Sequence, residues 1–207
     1  MRTFLSRTGF LLLLMASGQG RAVDSLGQAL LTQDWDQALT LAHTMSGPTI
    51  EKQALPLAQD GVVPAMWLMG QARFAQQDSQ GASMWFYRGW LGLQMDLSLC
   101  RLTSARAITN VLMDSFPNAL TSVRNDVTLR TQGIQEASRY YEGADHQDPF
   151  PGWSCRWAAK RWHTAPLMVS ISQFTAQRSK ALQTFLIQTG QAPLNAYTPL
   201  SSSRLQP

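Results

Sequence analysis

Histidine is scarce in this 207-residue chain, where His43, His146 and His163 are the only three. None stands one helical turn from another, and the two cysteines, Cys100 and Cys155, are far apart, so the spacings of a zinc site are missing. No metal ion and no cofactor is expected. The chain has no Gly-x-Ser-x-Gly turn to present a nucleophilic serine and no glycine-rich phosphate loop. No apolar run reaches the ~20 residues that a membrane-spanning helix needs. Charge is thin as well: Asp, Glu, Lys and Arg make up 14% of the residues.

What is present begins with a leader. Arg2 and Arg7 precede or interrupt the approach to an apolar run, Phe10 to Ala16, and Gly20-Arg21-Ala22 puts small residues at both positions that direct cleavage. Residues 1–22 therefore read as a secretory signal peptide cut near Ala22, which places the protein in the periplasm or outside the cell. The remainder, about 185 residues, is long enough for one domain with its own core. The leader has no cysteine, so lipid attachment at a new N-terminal Cys is excluded. Arg2, Arg7 and Arg21 leave with it and no acid does, which lowers the formal net charge from +4 to +1. That leaves no basic excess to recruit nucleic acid or an anionic membrane, and no stable membrane insertion is expected after cleavage.

An exported chain with an even cysteine count favours a disulfide between Cys100 and Cys155. Closing a loop of that length stabilises a fold by about 4 kcal/mol when the native geometry is unstrained. Two alternatives stay open: two separate buried thiols, and a reactive Cys155 beside His163.

The hydrophobic spacing is helical throughout. Leu26 to Leu31 and Trp35 to Met45 flank a turn at Asp34, and Thr49 to Gln59 contains Pro56, which should kink that helix or delay its start. From Pro64, Ala65, Leu68, Met69, Ala72 and Ala75 share one face, with Trp67, Gly70 and Phe74 beside it. Asp78 or Ser79 can cap the next helix, which carries Met84, Trp85, Tyr87, Arg88, Leu91 and Met95 and runs on toward Leu102. Glycines within it suit a place where another backbone packs close. Ser104 can cap a helix that Pro117 stops, and Asn118 opens a longer one reaching Tyr141. Glu142 to Gly152 has no periodicity and reads as the longest internal loop. A last helix is expected from a Thr164 cap with Pro166 near its start, ending at Gly190, and 191–207 reads as a flexible tail. The result is one all-α domain over 23–190, with seven or eight helices.

Within it, Ala58, Gly61, Ala65, Leu68, Gly70, Ala82, Trp85 and Tyr87 resemble the Sel1 repeat, a relative of the tetratricopeptide repeat. Ala29 to His43, with Asp34-Trp35 at the bend, is similar to the inter-helix turn of a tetratricopeptide repeat. The resemblance implies stacked αα-hairpins that bind other proteins, and it names no ligand.

Chemistry is harder to find. Cys155 with His163, or Glu136 with Glu142 around Tyr140-Tyr141, are the nearest approach to a nucleophile with a base or to a glycosidase carboxyl pair. Aromatic and arginine side chains, by contrast, are plentiful, and such residues are enriched at protein interfaces. Arg88, Trp90, Asp145, His146, Trp153, Arg156 and Trp157 are the candidate contact residues, with core packing the alternative for Trp153 and Trp157. The expected function is a non-enzymatic periplasmic domain that binds another protein, a secreted effector or an envelope component. An immunity protein against a toxic effector fits that description; a scaffold or assembly factor of an envelope or secretion complex, or a cell-wall hydrolase, are the rivals.

Overall fold

Leu55 to Trp90, the stretch richest in large apolar side chains, folds as the hairpin its spacing predicts. The computed structural model describes residues 25–142 and 151–188. The expected leader, the loop that includes Asp145 and His146, and the expected tail lie outside them. The described residues form α1 (Leu26–Leu31), α2 (Trp35–Thr44), α3 (Gly47–Gln59), α4 (Val63–Ala75) and α5 (Ser79–Ser98). A 3-10 turn (Thr103–Arg106) leads into α6 (Ala107–Ser115), α7 (Pro117–Asn125), α8 (Val127–Glu142), α9 (Trp153–Arg161) and α10 (Ile171–Gln188). No strand occurs among them, and the fold is all-α.

These ten helices exceed the expected seven or eight for two local reasons. The segment opened by Asn118 divides at Asp126, whose carboxylate accepts the N–H groups of Thr128 (2.9 Å) and Leu129 (3.0 Å) and so starts α8. Trp153–Arg161 forms a helix of its own, although its apolar residues make no single stripe. Pro56 lies well inside α3 on its exposed side, and the start of the helix is not delayed. The carbonyl it leaves without an N–H belongs to exposed Lys52, open to water.

Three of the first four helix ends, those of α1, α3 and α4, close in the same way. Gln33, Gly61 and Gln77 have positive φ (59°, 95° and 62°). The N–H of the next residue returns to the carbonyl five positions back: Asp34 to Ala29 (2.8 Å), Val62 to Leu57 (2.9 Å) and Asp78 to Arg73 (2.9 Å). This is the left-handed helix stop that satisfies carbonyls otherwise left bare. At two of the three, the following Asp then caps the new helix, Asp34 taking Gln37 N–H (3.4 Å) and Asp78 taking Gly81 N–H (2.8 Å).

Helix α5 is the hub: α4, α7, α8, α9 and α10 all pack on it. Ala82, Trp85, Phe86, Leu91, Leu93 and Met95 are buried around its circumference, the pattern of a helix surrounded by others. The glycines of α5 are closely approached by side chains instead of by another backbone, and the close backbone is met by a glycine of α8. A Cβ on Gly89 would stand 2.7 Å from Trp67 Cδ1, and one on Gly133 of α8 would stand 3.0 Å from the Ser83 carbonyl oxygen.

The end of the chain departs from the spacing. Thr164 does not cap a helix: residues 164–170 form none, Met168 alone making a backbone bridge, and α10 begins only at Ile171. Pro166 disfavours helical backbone in the residue before it. Arg101 N–H donates to Leu167 O (2.8 Å) and Val169 N–H donates to Leu99 O (2.9 Å), an isolated antiparallel bridge centred on Cys100 and Met168. Those bonds give 167–169 partners that a helix would have to break. Likewise α5 ends at Ser98 instead of reaching Leu102, which puts Cys100 on the chain leaving the helix.

Candidate functional site

The last turn of α5 and the residues after it hold α9 in place through three kinds of contact. Asp96, 3% exposed, accepts the N–H of Gly152 at 2.5 Å through Oδ1 and that of Ser154 at 2.8 Å through Oδ2. It thereby caps α9 from across the fold, which Gly152 at the cap position has no side chain to do. Gly152 has φ +75°, a backbone conformation that favours glycine, and a Cβ there would meet only the flexible end of the Met168 side chain. Burial pushes the Asp96 carboxyl up to about 6, against hydrogen bonds from Ser154 and Gly152 and the charge of Arg156. Four residues on, Cys100 and Cys155 are paired as a disulfide with Cα atoms 5.2 Å apart. The antiparallel bridge completes the attachment.

On α9 itself, Trp153 is buried edge-on to Trp35, ring centroids 5.6 Å apart. Trp157 is also buried, and its Nε1 donates to Asp36 Oδ1 at 3.2 Å. Neither ring offers an accessible contact surface. Arg156 is half-buried, its Nε donating to Gln33 Oε1 (2.8 Å) and its Nη1 to Pro151 O (2.7 Å). These bonds fasten α9 to the α1–α2 corner. The exposed material comes next: Arg161 lies over Trp157 (5.2 Å) and Trp162 (5.9 Å), and Trp162 meets Trp157 edge-on at 5.5 Å. Lys160 and Arg161 pair at 3.5 Å with Asp34 and Asp36.

Arg88 and Trp90 stand elsewhere, between α5, α7 and α8. The Arg88 guanidinium lies 4.6 Å from the Tyr140 ring and 5.3 Å from that of Trp85, and Nη2 is 3.8 Å from Glu136. Burial lowers its pKa, opposed by Tyr140, Glu136 and Tyr141. Trp90 stacks on Tyr87 with ring planes 3° apart, and Arg124 lies 5.8 Å from its ring. Burial raises the Tyr87 hydroxyl, against Arg130 and Arg124. Here the arginines complete the packing between helices.

The cysteine–histidine set does not assemble. Cys155 is bonded to Cys100 and so has no thiol for His163 to activate. Glu136 is held by Arg139 at 2.7 Å and by Arg88. It borders an open polar groove of about 570 Å³ between the start of α5 and α8, where Asp78 is likewise occupied by Arg73 and the Gly81 N–H. Among the described residues no three of His, Cys, Asp and Glu gather to hold a metal ion, and no helix is long and apolar enough to cross a membrane.

Spacing alone misses Asp96 and the segment 164–170. Asp96 has a signal in retrospect, as the single acid in the otherwise uncharged run Gly89 to Cys100. The segment's exposure has none. Trp162, Leu167 and Met168 are 42%, 53% and 41% exposed, three of the six exposed large hydrophobic residues described. Comparison with protein-family models, with curated proteins and with solved structures finds no match to this chain.

Proposed function

We propose that this is a non-enzymatic, exported protein-binding domain, and that its working surface is the chain from Lys160 to Met168. The observation that carries this reading is the concentration of exposed apolar side chains on a segment whose end is tied to the chain after α5 by the backbone bridge, with the disulfide anchoring the helix before it. A surface fixed in advance loses little conformational freedom on binding, and clustered exposed aromatic and aliphatic residues favour a protein partner. The α4–α5 hairpin and the repeated helix stops support a likeness to stacked Sel1-type hairpins. The disulfide suits an oxidising compartment, in keeping with a periplasmic location. Engagement of Cys155 and of Glu136 argues against the hydrolase alternative.

Among partners, a toxic effector that the domain neutralises is the reading we favour, with an envelope scaffold second. The test is a pull-down with residues 23–207 from periplasmic extract supplemented with the products of adjacent genes. One stoichiometric partner whose toxicity this chain suppresses supports the immunity reading. Envelope components in its place favour the scaffold, and recovery of no partner refutes protein binding.

A further inference from the structure

The bridge between Leu99–Arg101 and Leu167–Val169 uses only one edge of the second segment. With Leu167 O and Val169 N–H spent on Arg101 and Leu99, Met168 is in the non-hydrogen-bonded position opposite Cys100, and its own N–H and C=O point away from that strand. Neither group has a hydrogen-bond partner among the described residues. An extended backbone with a free edge is a template for another strand.

Charge selects what can lie there. After Asp148 the chain to Pro207 contains no Asp or Glu, yet it contains Arg156, Lys160, Arg161, Arg178, Lys180 and Arg204. Lys160 and Arg161 meet acids only through exposed pairs with Asp34 and Asp36, which compete weakly with a partner's carboxylates. Arg101, whose backbone pairs with Leu167, is exposed, and among the described residues its guanidinium meets only the Gln173 amide oxygen, at 3.3 Å. An incoming strand therefore finds backbone groups to pair with, apolar side chains on Leu167 and Met168, and a basic border.

We propose that the free edge of Leu167–Val169 receives an extended, acidic segment of the partner protein by strand addition. This rests on the protein-binding reading above and specifies its mode and the partner's chemistry. The probe is a capped heptapeptide alternating glutamate with valine, compared with its lysine counterpart, titrated into the oxidised chain 23–207 and followed by backbone amide chemical shifts. The acidic peptide should saturate, with the largest shifts from Leu167 to Val169, and the lysine peptide should bind at least about tenfold more weakly. Met168→Pro removes the outward N–H while sparing both inner bonds, and should weaken binding about five- to tenfold; unchanged Arg101 and Val169 amide shifts report an intact bridge. Arg101→Glu should weaken the acidic peptide and not the lysine peptide. No saturable shift at about 2 mM peptide, equal binding of both peptides, or shifts centred elsewhere overturns the proposal. If a partner recovered by pull-down is retained in full by Met168→Pro and Arg101→Glu, strand addition fails and protein binding stands. If the peptide binds as described and no partner is recovered, the edge's preference for an acidic strand stands and its assignment to a partner protein fails.

Discussion

Replacing Asp96 by Asn sets burial against hydrogen bonding at one buried carboxyl. In the unfolded chain Asp96 ionises at its ordinary 3.8; in the fold, burial raises that to about 6. The folded protein therefore holds the proton more tightly, and the stabilisation this confers is complete below pH 3.8 and lost as pH rises through about 6. The gap between the two values is worth about 3 kcal/mol. The Asn variant cannot ionise, so between about pH 4 and pH 7 its stability relative to the natural chain should climb by about that amount, or roughly 6–12 °C in Tm. Urea unfolding followed by tryptophan fluorescence, at several pH values in oxidising buffer, measures the difference directly. If the natural chain instead gains on the Asn variant as pH rises, the Gly152 and Ser154 N–H groups outweigh burial and the reasoning fails.

Cys100→Ser with Cys155→Ser should cost about 4 kcal/mol, and reductant should lower the urea midpoint of the natural chain to the same value. An unchanged midpoint would show that the bond constrains nothing. Gly133→Ala drives a Cβ into Ser83 Oγ and the Tyr87 ring and should destabilise by about 1–3 kcal/mol, read from thermal unfolding. Trp153→Ala empties a buried site against Trp35 and should cost about 3–5 kcal/mol. Glu136→Gln breaks half-exposed pairs with Arg88 and Arg139 and should shift stability by less than about 1 kcal/mol.

The central hairpin was open to reading because its signals are local. Pro64 sits in the first turn of α4, Asp78 caps α5, and the apolar spacing between them needs no distant partner to be understood. The disulfide was legible for a similar reason, since an expected leader and an even cysteine count bear on it without knowledge of the fold. The segment 164–170 was not, because spacing by threes and fours from Leu167 reports which residues share a helix face and nothing about competing hydrogen bonds. Its partners, Leu99 and Arg101, are remote in sequence. Trp153 and Trp157 mislead in the same way: tryptophan beside arginine suits a surface or a core equally, and only Trp35 and Asp36 decide the matter.

Three attachments of α9 and the chain after it originate between Asp96 and Arg101, where the central helix ends, beside those that α9 makes to Gln33 and Asp36. Each acts on a different quantity: the carboxylate satisfies the bare N–H groups that begin α9, the disulfide limits the unfolded chain, and the bridge fixes the backbone of 167–169. Because α5 is packed on nearly every side, a change at its end has little freedom to relax inward. Rigidity built in the core is thus carried to the most exposed apolar stretch of the described chain through six consecutive residues. On the proposed reading, a binding surface needs side chains free to meet a partner and a backbone that does not yield when they do, and residues 162–168 would supply the first and the end of α5 the second.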